Sequence, residues 1–199
     1  MEANSTMTEQ ESLAVIKDMI NSSKTNFKEQ SFYYLMWGWL VVGAVIIEAI
    51  LLSQNIIWHG VVWPIMGITG GIASGIYGAK NKKKAGYSTY TDRAMKFVWL
   101  GFIFYMFIVI LLSATGKFGP KGMSTSFQLI MGLYGLGTFI SGGLLKFKPL
   151  IYGGVASFIL VIITIVFSSF FASFNVILLM LAASVIVSYL IPGYMLKKS

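Results

Sequence analysis

Six runs of 18 to 22 mostly apolar residues, at 32–52, 58–78, 97–114, 127–145, 150–171 and 175–196, constrain this chain more than any other feature. At about 1.5 Å per residue each run can cross the ~30 Å hydrocarbon layer as a helix, which satisfies its own backbone hydrogen bonds there. Of the 199 residues 56% are hydrophobic and 11% charged, whereas an ordinary soluble domain is roughly a quarter charged. A soluble fold could not hide that much apolar surface. The expected fold is all-α, an integral membrane bundle of six transmembrane helices over residues 32–199. A cytoplasmic segment, residues 1–31, precedes it and carries a short amphipathic helix.

Orientation follows from the basic residues. Thirteen of the fifteen Lys and Arg flank one side of the spans, and only Lys117 and Lys121 flank the other. The positive-inside rule places the larger group, and with it both termini, in the cytoplasm. The expected setting is the cytoplasmic membrane of a bacterium. Residues 1–31 hold Glu2, Glu9 and Glu11 and no apolar stretch, unlike a cleaved signal peptide. The net charge of +8 is spread between spans in place of a continuous basic stripe, so nucleic acid is not an expected partner. Clusters such as Lys80 to Lys84 favour anionic lipid headgroups, at about 1 kcal/mol per basic residue near the surface.

Aromatic residues mark the same boundaries. Tyr33, Tyr34, Trp37, Trp39 and Trp99 fall near the inner ends, and Trp58, Trp63, Phe170, Phe171 and Phe174 near the outer ends, where anchoring in the headgroup layer is their expected role. Pro64 in the second span predicts a kinked helix. The short outer connections at 53–57 and 172–174 predict antiparallel hairpins for spans one and two and for spans five and six. Ile65-Met66-Gly67 leading to Lys80 and Ile130-Met131-Gly132 leading to Lys146 are compatible with three repeated hairpins. The Pro-x-acidic-x-x-basic motif of the mitochondrial carriers, which also have three hairpins, is missing.

In the N-terminal segment Thr8 and Glu11 match a capping box. Leu13, Ile16 and Ile20 recur at helical spacing, forming a face for the membrane surface or for a protein partner, with a hinge expected at Asn21-Ser22-Ser23. In the second span Gly67, Gly71 and Gly75 recur four apart, as do Gly70, Ser74 and Gly78. Such rows let helix backbones approach closely, either inside the bundle or at a homo-oligomer seam. The fourth span, with Gly135, Gly137, Ser141, Gly142 and Gly143, has a similar character. Spans two and four are therefore expected at the centre.

Glu48 is the only formally charged residue inside any span, which makes it a functional candidate. It lies near the outer end of its span, where water access is expected. His59, the chain's single histidine, opens the next span across a short turn, so the two are a candidate proton or substrate pair. Gln128 and Asn175 also open spans on the outer side, and with the pair they could line an outer vestibule, although Asn175 equally suits a helix N-cap. Mid-span Thr69, Tyr105, Tyr134, Thr138, Ser184 and Ser188 offer hydroxyls for helix contacts.

Catalysis is not expected. There is no cysteine, and a single histidine cannot supply the His-Glu-x-x-His run of zinc peptidases. Both aspartates, Asp18 and Asp92, fall outside the spans, which excludes an intramembrane aspartyl dyad. Ile72-Ala73-Ser74-Gly75 faintly resembles the Gly-x-Ser-Gly element of rhomboid proteases. Its first glycine is absent, however, and His59 lies about 22 Å away along the same helix. No cofactor or metal is implied. The sequence therefore points to a non-catalytic accessory, sensory or assembly subunit acting through helix and partner contacts. The alternative is a small proton-responsive transporter or channel-like protein using Glu48 and His59.

Overall fold

The computed structural model describes residues 9–85, 90–171 and 173–199, and among them every regular element is helical. The helices are α1 (Glu9–Ser53), α2 (Val62–Ala85), α3 (Tyr90–Ala114), α4 (Gly122–Leu144), α5 (Lys148–Val166), α6 (Phe174–Val185) and α7 (Ile191–Lys198). A single π turn, Ile186–Leu190, joins α6 to α7 into one rod. Six stretches are long and apolar enough to cross a membrane: Phe27–Ser53, His59–Lys80, Arg93–Ala114, Gly119–Leu144, Lys148–Val166 and Phe174–Lys198.

α1 is one unbroken helix of 45 residues, and the hinge expected at Asn21-Ser22-Ser23 is not there. Asn and Ser disfavour helix by only a fraction of a kcal/mol each, and no Gly or Pro lies between Glu9 and Trp37 to break the ladder. A separate amphipathic helix is therefore not formed. Of its proposed face, Leu13 is 66% exposed, while the side chains of Ile16 and Ile20, and Thr8 of the capping box, lie outside the described residues.

Three helices stop in the same way. Ile56 N–H bonds Leu51 O and Asn55 N–H bonds Leu52 O, a Schellman motif with Asn55 left-handed at φ 56°. Gly116 ends α3 through the equivalent bonds to Leu112 and Ser113, and Lys146 ends α4 through those to Gly142 and Gly143. After the first two stops a short 3₁₀ turn, His59–Val61 or Gly119–Lys121, leads into the next helix. Pro64 is consequently the third residue of α2, in the first turn, where its missing N–H costs no intrahelical bond and gives no cause for the expected kink. α2 reaches spanning length by running on to Ala85.

The centre of the bundle is α1, α4, α5 and the α6–α7 rod. α4 and α5 pack most intimately because their contact is glycine on backbone. A Cβ on Gly154 would stand 2.7 Å from Gly135 O, and one on Gly142 would stand 2.7 Å from Ile151 N. α1 and the rod cross reciprocally: Tyr34 packs on Gly193, and Tyr189 packs on Gly38. Pro192 lacks the N–H that an α-helix would offer to Ser188 O, and the π turn just before it accommodates the ring.

α2 is peripheral, against expectation, with 6% of its apolar window buried compared with 50% for α4. Its backbone packs closely on α1 alone. The two small-residue rows also differ. Gly70 and Gly78 meet Trp37 and Tyr33, and Ser74 Oγ accepts from Trp37 Nε1 at 3.1 Å, whereas Gly67, Gly71 and Gly75 face open space. Even-numbered spans so unlike in burial are not equivalent members of three repeats, although the turns after α1 and α3 are built alike.

Candidate functional site

Glu48 lies 22nd in the 27-residue span Phe27–Ser53, about 8 Å from its end along the axis. At that depth it was expected to reach water, yet none of its surface is exposed. The first hairpin covers it. The turn after Asn55 brings His59 back over α1, and the first residues of α2 place the Trp63 indole beside it. His59 Nδ1 is 2.9 Å from Glu48 Oε1, and Trp63 Nε1 donates to Oε2, so each carboxylate oxygen has its own partner.

The pairing answers an energetic problem. A carboxylate at this depth costs several kcal/mol unless its charge is paired and its lone pairs are filled. His59 keeps 22% of its side chain exposed, and Glu48 keeps none. Of the two, only the imidazole is thus in contact with the surroundings. Trp63 carries the arrangement into the bundle: its ring meets Phe127 edge-on at 4.9 Å, and Phe127 meets Phe174 edge-on at 5.2 Å. The triad thus joins α1 and α2 and touches α4 directly, and Phe127 passes the contact on to α6. Trp63, placed by the sequence among the interfacial anchors, is instead part of the site. The clue was its four-residue spacing from His59, which puts both on one helix face.

Gln128 and Asn175 lie elsewhere. Gln128 Nε2 donates to Thr164 O at 3.3 Å and lines a shallow recess with Lys121, Ser124, Thr125, Ser168 and Phe171. Asn175 is exposed as the second residue of α6, whose N-cap is Ser173. Neither Glu48, His59 nor Asn175 lines the Gln128 recess, so that recess is not a vestibule shared by the four polar residues. As a metal site the pair is poor, because two ligands come together and no group of three His, Cys, Asp or Glu forms among the described residues.

Toward the other end of the bundle lies a second polar cluster. Tyr34, Tyr134 and Tyr189 meet edge-on, with Tyr189 5.5 Å from Tyr34 and 5.3 Å from Tyr134 between ring centres. Trp99 closes the group at 6.3 Å from both Tyr34 and Tyr189. Tyr34 is 1% exposed, so it is a core residue and no interfacial anchor.

Between the two clusters the buried side chains are mostly apolar, apart from the paired Ser184 of α6 and Ser157 of α5. α1 contributes Val41 and Val45, α4 contributes Met131, and α6 contributes Leu178 and Leu181, all of them buried. This layer separates Glu48 from Tyr34 by about 21 Å along α1. The nearby Ser184 and Ser157 bond each other at 2.7 Å.

The fold is a helical bundle whose six apolar stretches are compatible with a membrane protein, and its site is a buried carboxylate, Glu48, held by a histidine and a tryptophan. No protein-family model, curated protein or solved structure matches the chain.

Proposed function

We propose that this is a non-catalytic sensory or accessory protein of a bacterial cytoplasmic membrane, with both termini cytoplasmic. In this reading Glu48, His59 and Trp63 form a proton-responsive latch near the outer face. The observation that supports it most is a fully buried Glu48 bonded to a histidine that itself touches solvent. Protonating either partner changes the charge of a site that holds α2 against the bundle. The apolar layer between the two polar clusters favours sensing over passage of a solute.

The test uses the absence of native cysteine. Spin labels at Ile72→Cys on α2 and Leu136→Cys on α4, both exposed positions, report the distance between these helices in proteoliposomes. The distance distribution should shift between pH 8 and pH 5, and the Glu48→Gln background should abolish the shift. A distribution independent of pH sinks the latch. Dissipation of an imposed proton gradient by the wild type but not by Glu48→Gln would move the assignment to the transport alternative.

A second reading rests on the length of α1, which continues as helix for residues 9–26 beyond its membrane-spanning part. At about 1.5 Å per residue this is a rod of roughly 27 Å. We infer that it is where a protein partner docks, using Leu13, Ile16 and Ile20. Leu13→Lys or Ile16→Lys should release a co-purifying protein while the bundle stays folded. Retention of that protein by both variants removes the helix from the interface.

A further inference from the structure

We propose that the hydroxyls of Tyr34, Ser141 and Tyr189 form an internal water-binding site where α1 crosses the α6–α7 rod. All three oxygens are buried and none has a hydrogen-bond partner in the protein. Ser141 Oγ neighbours the Tyr34 hydroxyl, and the Tyr189 ring meets those of Tyr34 and Tyr134 edge-on. Buried hydroxyls are nearly always bonded, to protein or to ordered water, so three orphans in one cluster point to a bound molecule.

Four neighbouring hydroxyls are already engaged elsewhere. Thr138 donates to the carbonyls of Tyr134 and Gly135, Ser188 donates to Ser184 O, and Ser184 and Ser157 are paired. The Tyr189 side chain is also committed to its inward position. The π turn widens the buried face of the sixth span so that Ser188, Tyr189 and Leu190 are all buried in succession. The crossing at Gly38 and Gly193 then fixes both tyrosines at their backbones.

The chemistry of the walls selects the ligand. Tyr34, Tyr134, Tyr189, Trp99, Phe102 and Ser141 carry no formal charge, so an ion here would lack a counter-charge in a medium that strongly disfavours one. A neutral molecule that both donates and accepts fits the three hydroxyls, and water does so with the two to four partners it ordinarily has when buried. The site sits on the opposite side of the apolar layer from Glu48 and does not depend on proton sensing.

The experiment is difference infrared spectroscopy of the full chain in nanodiscs, comparing H₂¹⁶O with H₂¹⁸O. The wild type should show an isotope-sensitive water stretch that is lost in both Tyr34→Phe and Ser141→Ala. Absence of the band in the wild type, or its retention in both variants, overturns the proposal. A second measurement is the thermal midpoint. Removing a hydroxyl that binds water should lower it by about 2–4 °C for each variant. A rise in both variants would mark the hydroxyls as dry, and a rise of the wild-type midpoint with added sodium would assign the site to a cation; each result overturns the proposal.

Discussion

Glu48 and His59 face each other across the first hairpin with 2.9 Å between Oε1 and Nδ1, while the second carboxylate oxygen accepts from Trp63. One side chain of α1 therefore holds two groups of the segment that follows it. Glu48→Ala strands the Trp63 N–H and His59 Nδ1 inside the bundle, and about 1–3 kcal/mol should be lost for each buried group left unsatisfied. Glu48→Gln should cost less than about 1 kcal/mol, because its carbonyl can accept from Trp63 and its amide can donate to the imidazole. Thermal midpoints in nanodiscs check the order. Equal losses for Ala and Gln would contradict the shared-acceptor geometry.

The two kinds of glycine should respond oppositely to a methyl group. Gly154→Ala drives a Cβ to 2.7 Å from Gly135 O and Phe139 N, both backbone atoms that cannot swing aside. A loss of at least 1–3 kcal/mol is expected, roughly the cost of overpacking a core. Gly71→Ala meets nothing within 4 Å and should be neutral or gain up to about 1 kcal/mol from helix propensity. Comparing the unfolding midpoints of the two variants decides whether the close packing lies between α4 and α5 or on α2.

Lys146 terminates α4 with a positive φ of 54°, a conformation that costs a residue with a side chain and suits glycine. Lys146→Gly should stabilise the protein by about 0.5–1 kcal/mol, seen as a higher thermal midpoint. A fall would mean that the lysine side chain contributes more than its backbone costs.

Much of this architecture is legible in the letters because an apolar run of 18 or more residues has few alternatives to a spanning helix. The meeting of Glu48 with His59 is legible for a related reason, since a hairpin with a short turn brings its flanking residues together. The position of α2 is not, because Gly67 and Gly70 look alike in a string although one faces outward and the other faces Trp37. Tyr34 reads as an anchor because an aromatic near a span end suits either the headgroup layer or a helix crossing, and only Gly193 on a distant helix decides between them. The break expected at Asn21-Ser22-Ser23 fails because weak helix formers do not stop a helix without Gly, Pro or a capping contact. The π turn had one sequence correlate, Pro192 near the end of the last span, whose missing N–H disturbs the ladder just before it.

The most direct test of the proton-responsive latch uses the fact that His59 is the chain's only histidine, so its imidazole nitrogens give unambiguous NMR signals. The ¹⁵N resonances of His59 and the indole N–H of Trp63 are followed in nanodiscs from pH 8 to pH 5. The latch predicts that the Trp63 indole signal changes in step with those of the His59 nitrogens, and that Glu48→Gln uncouples the two. A Trp63 indole that does not follow the His59 nitrogens would contradict it.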